Sequence, residues 1–150
     1  MSHELWTREI VNPAELKRVV KNISNKLNRD KLLFGIKAVA VTGVSGLTVG
    51  SIISYNTGLP MIVVRKPNEK THSDYSVEYS DSIESKNLNY CIIDDLIDSG
   101  KTIDNMILRI QKEEEGFKCT KIYLYHPLVR KKERTHKGIK ISRCRRSKVS

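Results

Sequence analysis

The chain has 150 residues, of which 39% are hydrophobic, 29% charged and 6% aromatic, the composition of one globular domain with a sizeable core. No apolar run approaches the roughly 20 residues that cross a bilayer, which excludes a membrane protein and predicts a cytoplasmic one. The cysteines, Cys91, Cys119 and Cys144, are odd in number and widely spaced. Because this spacing fits neither a disulfide framework nor a zinc site, we expect reduced thiols with structural roles.

The net charge of +10 is concentrated at the C-terminal end of the chain. Residues 130–150 contain ten Lys or Arg and one acid, whereas residues 1–129 contain 17 basic and 16 acidic residues. Such a basic tail can bind RNA, DNA or another polyanion through phosphate contacts. The favoured alternative is a solvated, partly mobile end, because no aromatic residue follows Tyr125 to stack on bases. We therefore divide the chain into a core, 1–129, and a basic tail, 130–150.

Helices and strands are predicted in alternation. A helix begins at Asn12 and Pro13, and its apolar face repeats at helical spacing through Leu16, Val19, Val20, Ile23 and Leu27. Short apolar runs predict buried strands at 36–41, 60–64, 90–93 and 122–125. Further helices are predicted at 47–55 and after residue 102, where the apolar positions are Ile103, Met106, Ile107 and Ile110. Residues 65–89 are polar and are predicted to be a long loop with no clear contribution to the core.

This alternation predicts an α/β fold with a mainly parallel sheet flanked by helices, whose ligands lie beyond the carboxyl ends of the strands. The loop after the third predicted strand is the most distinctive. Asp94 and Asp95 repel each other unless a divalent cation or the hydroxyls of a sugar compensate them. The segment 99–102 (SGKT) then opens a helix, whose free N–H groups favour a phosphate. Helix capping by Asp98 or Ser99 explains each residue singly, but not the combination.

The segment 91–102 resembles the signature of the type I phosphoribosyltransferases: an apolar strand, two acids, two apolar residues and a phosphate loop that ends in Gly-x-Thr. The resemblance implies the fold of that family, with a small variable hood. It implies an enzyme that transfers the 5-phosphoribosyl group of 5-phosphoribosyl 1-pyrophosphate (PRPP) to a nucleobase and releases pyrophosphate. Mg²⁺ bound with PRPP is implied as the cofactor, and a homodimer as a partner arrangement.

The resemblance also implies roles for individual residues. Asp94 and Asp95 would bind the ribose hydroxyls and hold the metal through the ribose or water. The residues implied for the 5-phosphate are Asp98, Ser99, Gly100, Lys101 and Thr102. An Asp at position 98 is similar to the 6-oxopurine branch, where this residue is the general acid or base at N7 of the base. A purine acceptor, with a 6-oxopurine favoured, is therefore expected.

Two further segments resemble the same family. Residues 38–46 are similar to its first strand and pyrophosphate loop, which implies Thr42, Gly43, Val44, Ser45 and Gly46 as pyrophosphate ligands. Residues 61–72 are similar to the strand end and mobile loop of the orotate and adenine branches. This second likeness implies that Arg65 and Lys66 bind pyrophosphate and that Lys66, Lys70 and His72 are catalytic. It leans toward orotate or adenine, in conflict with Asp98.

Two questions stay open from the sequence. The first is the aromatic ring that family members place over the base; the candidates are Trp6, Phe34, Tyr75 and Tyr79. The second is the class of function. A PRPP-sensing regulator that binds RNA through the basic tail, or a PRPP-binding module without activity, remains an alternative to the enzyme.

Overall fold

The computed structural model describes residues 12–65, 76–95, 97, 99–126 and 133–144. Its helices and strands are α1 (Pro13–Leu33), β1 (Ile36–Thr42), α2 (Gly43–Thr57), β2 (Met61–Val64), β3 (Val77–Tyr79), β4 (Asn87–Asp94), α3 (Lys101–Glu113), β5 (Gly116–Leu124), β6 (Thr135–His136) and β7 (Ile139–Arg143). None of the described helices combines the length and apolar character that crossing a membrane requires.

All seven strands form one sheet in the order β3-β2-β1-β4-β5-β7-β6. The five inner strands are parallel, and the edge strands β3 and β6 are antiparallel to their neighbours. From β1 the chain moves outward to β2, whereas from β4 it moves in the opposite direction to β5. The carboxyl ends of β1 and β4 therefore flank the crevice where such sheets bind ligands. The α/β fold with a mainly parallel sheet is confirmed.

The core consists of two apolar layers on opposite faces of this sheet. Val39 and Val41 of β1 pack toward α1 and α2, whereas Ala38 and Ala40 pack toward α3. This alternation arises because successive side chains of a strand point to opposite faces. Strands covered on both faces have near-continuous apolar sequences, which is why the central strands were predictable.

Helix α1 confirms its prediction. The Asn12 side chain accepts a hydrogen bond from the Ala14 N–H at 3.0 Å, which caps the helix, and Pro13 occupies the first turn. The predicted apolar face is buried against the sheet, apart from the partly buried Leu16.

Two elements differ from the predictions. Helix α2 begins at Gly43, directly after β1, rather than at residue 47. The predicted loop at 65–89 contains β3 and the start of β4, and Val77 is buried in the core. The start of α2 was missed because it is rich in Gly, Ser and Thr. Strand β3 was missed because its segment is polar, and pairing with the edge of β2 stabilises it.

The basic C-terminal segment is part of the sheet in its described portion. Strand β7 pairs in parallel with β5, and the Lys26 side chain of α1 donates to the carbonyl of Arg143 at 2.7 Å. Cys144 is buried in the core. The interpretation of this segment as a partly mobile end is therefore wrong for β6 and β7, because β5 offers a strand edge for them, although most of residues 133–140 are exposed to solvent as expected. The assignment of residues 130–150 as a separate tail or as part of the hood stays a prediction.

The three cysteines are free thiols, as predicted. Burial raises the pKa of all three, to about 12 for Cys119 and about 11 for Cys144, and Cys91 is fully buried. A raised thiol pKa leaves little reactive thiolate near neutral pH, in agreement with structural roles.

Candidate functional site

A pair of buried carboxylates lies at the carboxyl end of β4. Asp94 is the last residue of the strand and Asp95 follows it; they are 7% and 5% exposed. The Asp95 N–H donates to Asp94 Oδ1 at 2.9 Å, and the N–H groups of Tyr125 and His126 donate to the carbonyls of Asp94 and Asp95. The backbone after β5 thus fixes the turn that presents the two carboxylates. Burial makes two adjacent charges costly, and cations or hydroxyl donors lower that cost.

The start of helix α3 lies a few residues beyond this pair. Gly100 precedes the helix with φ +83°, a left-handed conformation that L-residues with a side chain rarely adopt. Because Gly100 has no side chain to cap the helix, the first-turn N–H groups can be directed to an anion. The Ser99 hydroxyl is 3.4 Å from the Lys101 N–H, and Lys101 and Thr102 are exposed. Two buried carboxylates and a helix start suited to an anion thus follow each other at one edge of the sheet.

The predicted pyrophosphate loop is largely the first turn of α2. Gly43 begins the helix with φ +73°, and the Thr42 hydroxyl donates to the carbonyl of Val64 at 2.6 Å, joining the carboxyl ends of β1 and β2. The Tyr125 hydroxyl donates a hydrogen bond to the Ser45 hydroxyl at 3.1 Å. The helical conformation corrects the expectation of a loop, but it presents first-turn N–H groups that suit the same kind of ligand.

Two members of that predicted set have different surroundings. Val44 is 72% exposed. A Cβ at Gly46 would lie 3.6 Å from Cβ of Val41, so Gly46 faces β1. The pyrophosphate role stays a prediction, and the structure favours the helix start at Gly43 as its centre.

Arg65 follows β2 at the same edge of the sheet, one residue after Val64. Its guanidinium forms an ion pair with Glu78 at 3.1 Å, and its carbonyl accepts a hydrogen bond from Arg109 at 3.0 Å. Its N–H donates to the carbonyl of Ser76 at 2.7 Å. The contacts of Glu78 and Arg109 with Arg65 were not predictable from the sequence, because they form only where β3 and α3 meet the end of β2.

The remaining predicted site residues lie outside the described part of the chain. These are Lys66, Lys70, His72 and Asp98, together with two of the aromatic candidates, Trp6 and Tyr75. The catalytic assignments therefore stay predictions.

The other two aromatic candidates are packing residues at some distance from the carboxylate pair. Phe34 precedes β1, and the Lys121 ammonium lies 4.6 Å from its ring centroid. Tyr79 is paired with Ile62 and donates its hydroxyl to Glu114 at 2.8 Å. Both lie away from the carboxyl edge, so neither is placed to cover a base there.

The described residues contain no cluster of three or more His, Cys, Asp or Glu side chains able to hold a metal by themselves. Mg²⁺ characteristically binds one or two carboxylates and completes its coordination with substrate phosphates and water. Asp94 and Asp95 fit that requirement, so the site suits a Mg²⁺ ion that arrives with a phosphorylated ligand.

Comparison with known proteins places this arrangement in a family, although no family model matches the chain. An adenine phosphoribosyltransferase of Prochlorococcus marinus subsp. pastoris is 34% identical over 113 residues, which cover 68% of this chain and 65% of that protein. A solved adenine phosphoribosyltransferase has a TM-score of 0.66 at 15% identity, covering 90% of this chain and 82% of the other. The UMP synthase of Leishmania donovani has a TM-score of 0.65 at 21% identity, covering 91% and 28%.

This chain belongs to the type I phosphoribosyltransferase family. It spans less than two thirds of the length of the curated relatives it matches. Among type I phosphoribosyltransferases, these curated relatives are named for adenine, so the preference for a 6-oxopurine that Asp98 suggested is not supported.

Proposed function

We propose that this protein transfers the 5-phosphoribosyl group of PRPP to a purine base, with adenine as the first candidate, and releases pyrophosphate. The observation that carries the proposal is the position of Asp94 and Asp95 beside the left-handed Gly100 and the start of α3. One edge of the sheet therefore offers groups for a sugar diol and for a phosphate. The curated relatives named for adenine support the choice of base.

Donor binding follows from this geometry. Asp94 and Asp95 are acceptors for the ribose hydroxyls, and their burial makes these hydrogen bonds strong. The N–H groups at the start of α3, with the hydroxyls of Ser99 and Thr102, receive the 5-phosphate. The pyrophosphate then lies toward the start of α2 and Arg65, across the crevice between β1 and β4.

The reaction breaks the bond between C1 of the ribose and a pyrophosphate oxygen, and forms a bond between C1 and a ring nitrogen of the base. Negative charge develops on the pyrophosphate, which Arg65 and the N–H groups at the start of α2 can stabilise. Mg²⁺ bound with PRPP supplies further positive charge at the phosphate oxygens. Lys66, Lys70 and His72 are proposed to contact the pyrophosphate, and Asp98 to accept the proton that the base loses.

The test measures pyrophosphate release from PRPP and Mg²⁺ with adenine, hypoxanthine, guanine, orotate or uracil offered separately. We expect release with adenine, loss of release in Asp95→Asn, and full release in Lys118→Ala, a matched change at an exposed position of β5. Release with hypoxanthine or guanine and not adenine would refute adenine as the acceptor and restore the 6-oxopurine.

Absence of release with every base, while PRPP still binds, would refute the enzyme. The PRPP-binding regulator and the inactive module would then be separated by RNA binding, which for the regulator should weaken as salt rises. A homodimer stays a prediction, which sedimentation of the full chain tests.

A further inference from the structure

The tip of the β6–β7 hairpin lies against the proposed phosphate loop. Lys137 and Gly138 form its two-residue turn, both with positive φ, 49° and 84°. Turns of this kind match the twist of the strands they join, so they fix the direction of a hairpin. Here the turn brings His136 and Lys137 to the start of α3, whereas their sequence indicates only a basic tail.

The His136 ring packs directly on Gly100. A Cβ at Gly100 would lie 2.6 Å from Cε1 of His136, 3.4 Å from Nδ1 and 3.5 Å from Nε2. Gly100 is buried beneath this ring, and the His136 side chain itself is only 11% exposed. Two separate requirements, the positive φ and the approach of the imidazole, thus favour glycine at position 100.

The same two hairpin residues each contact one carboxylate oxygen of Asp104, in the first turn of α3. His136 Nε2 lies 2.8 Å from Oδ1, and Lys137 Nζ lies 3.0 Å from Oδ2. Since an ionised carboxylate can only accept, Nε2 carries the proton. The hydrogen bond from His136, and then that from Lys137, lowers the pKa of Asp104, so this carboxyl group is charged at neutral pH.

A charged Asp104 has opposite effects on the helix and on a bound anion. It stabilises α3 through the helix dipole, but it competes with a phosphate for the same positive helix end. A phosphate at Gly100 would also be repelled by the carboxylate directly. Donors from His136 and Lys137 offset this negative charge without removing its benefit to the helix.

We infer that His136 and Lys137 are positioning residues for the phosphate loop: they hold Gly100 in its left-handed conformation and offset the negative charge of Asp104 with hydrogen-bond donors, so that the start of α3 accepts the 5-phosphate of PRPP. This inference rests on the proposed function. It assigns the β6–β7 hairpin to donor affinity rather than to the chemical step, so its loss should raise KM for PRPP and leave kcat at saturating PRPP unchanged.

The test is calorimetric binding of PRPP and of ribose 5-phosphate to the full chain with Mg²⁺ at neutral pH. His136→Ala and Lys137→Ala should each raise both dissociation constants by about two- to fivefold, the usual range for a charge near a helix end. His136→Gln, which keeps a donor for Asp104, should recover part of the affinity. Lys140→Ala, an exposed change in the same hairpin, should bind as the wild type.

A double variant separates charge neutralisation from simple folding. Asp104→Asn removes the charge that His136 compensates, so Asp104→Asn/His136→Ala should bind PRPP more tightly than His136→Ala alone. Equal weakening in both would overturn the neutralisation argument. If His136→Ala does not fold, as thermal unfolding would show, Lys137→Ala and its double variant with Asp104→Asn provide the same comparison.

The two proposals fail in different ways. A wild type that binds neither PRPP nor ribose 5-phosphate contradicts the proposed function itself. A wild type that binds, with binding lost in Asp95→Asn but unchanged in His136→Ala and Lys137→Ala, leaves the proposed function standing and refutes the role of the hairpin.

Discussion

Two glycines of α2 lie one helical turn apart against β1, and a methyl group added to each should have different effects on stability. A Cβ at Gly50 would lie 2.6 Å from Cγ1 of Val41 and 3.3 Å from Cε of Met61, whereas at Gly46 the nearest contact would be 3.6 Å. Favourable carbon contacts occur at about 3.5–4.0 Å. Alanine therefore fits at position 46 and overlaps Val41 at position 50.

The expected magnitudes follow from two terms. Replacing glycine by alanine inside a helix stabilises the protein by about 0.5–1 kcal/mol, because the unfolded chain loses freedom. Gly46→Ala should show this gain alone. Gly50→Ala has the same gain, but overpacking a close-packed core costs about 1–3 kcal/mol, and Val41 is buried and β-branched, with little room to turn. The net effect should range from neutral to about 2.5 kcal/mol of destabilisation.

Urea unfolding followed by circular dichroism measures the free energy of unfolding of both variants, with equal m-values as the check on comparability. The difference between Gly46→Ala and Gly50→Ala isolates the overpacking, because the helix-propensity gain is common to both. Equal stability within about 0.5 kcal/mol, the usual scatter of additive effects, would refute the close approach of α2 to β1. Val41→Ala should relieve the penalty of Gly50→Ala in the double variant.

Further measurements test the site and the core. Asp95→Asn should abolish PRPP binding in calorimetry without lowering the free energy of unfolding, because it removes one of two adjacent buried charges; wild-type affinity would contradict the ribose assignment. The Tyr90 hydroxyl is buried with no hydrogen-bond partner in the described part of the chain, so Tyr90→Phe should raise stability in urea unfolding by about 1 kcal/mol, and a loss would contradict this. The pKa of Asp104 is lowered in the folded state, so its stabilising contribution is complete above about pH 5 and is lost as pH falls below the ordinary value of about 3.9. The stability difference between the wild type and Asp104→Asn should shrink across that window, and a constant difference would argue against the pairing. Burial raises the pKa of Cys144 to about 11, so the stabilising contribution of this thiol is complete below the ordinary thiol value of about 8.5 and is lost as pH rises toward 11. At pH 8 the Cys144 thiol should therefore react slowly with a thiol reagent in the folded protein and rapidly in urea.

Local sequence signals were sufficient for the elements that are covered on both faces. The cap at Asn12 and the helical spacing of its apolar positions predicted α1, and continuous apolar runs predicted β1 and the centre of β4. The carboxylate pair and the glycine before α3 were also predictable, because the residues that form them lie within one short segment. These groups depend on neighbours that are near in sequence.

The edges of the sheet were not predictable in the same way. Strand β3 has three residues, and β6 has two, so neither carries a periodic pattern long enough to recognise. Each forms because a neighbouring strand offers unpaired N–H and carbonyl groups, a condition that exists only after the centre of the sheet has assembled. The start of α2 was missed for a different reason, since its Gly, Ser and Thr residues are equally common in loops.

By itself, the amino-acid sequence determined which chemical groups end the central strands and in what order they occur, because apolar periodicity and helix-start residues act over a few neighbouring positions. Only the tertiary structure decided which groups meet. The side chains of Tyr125 and Ser45 are hydrogen-bonded across 80 residues of sequence, and those of His136 and Asp104 across 32. Such contacts follow from the order of the strands in the sheet, and the free energy that selects this order comes from burying both faces of the sheet at once.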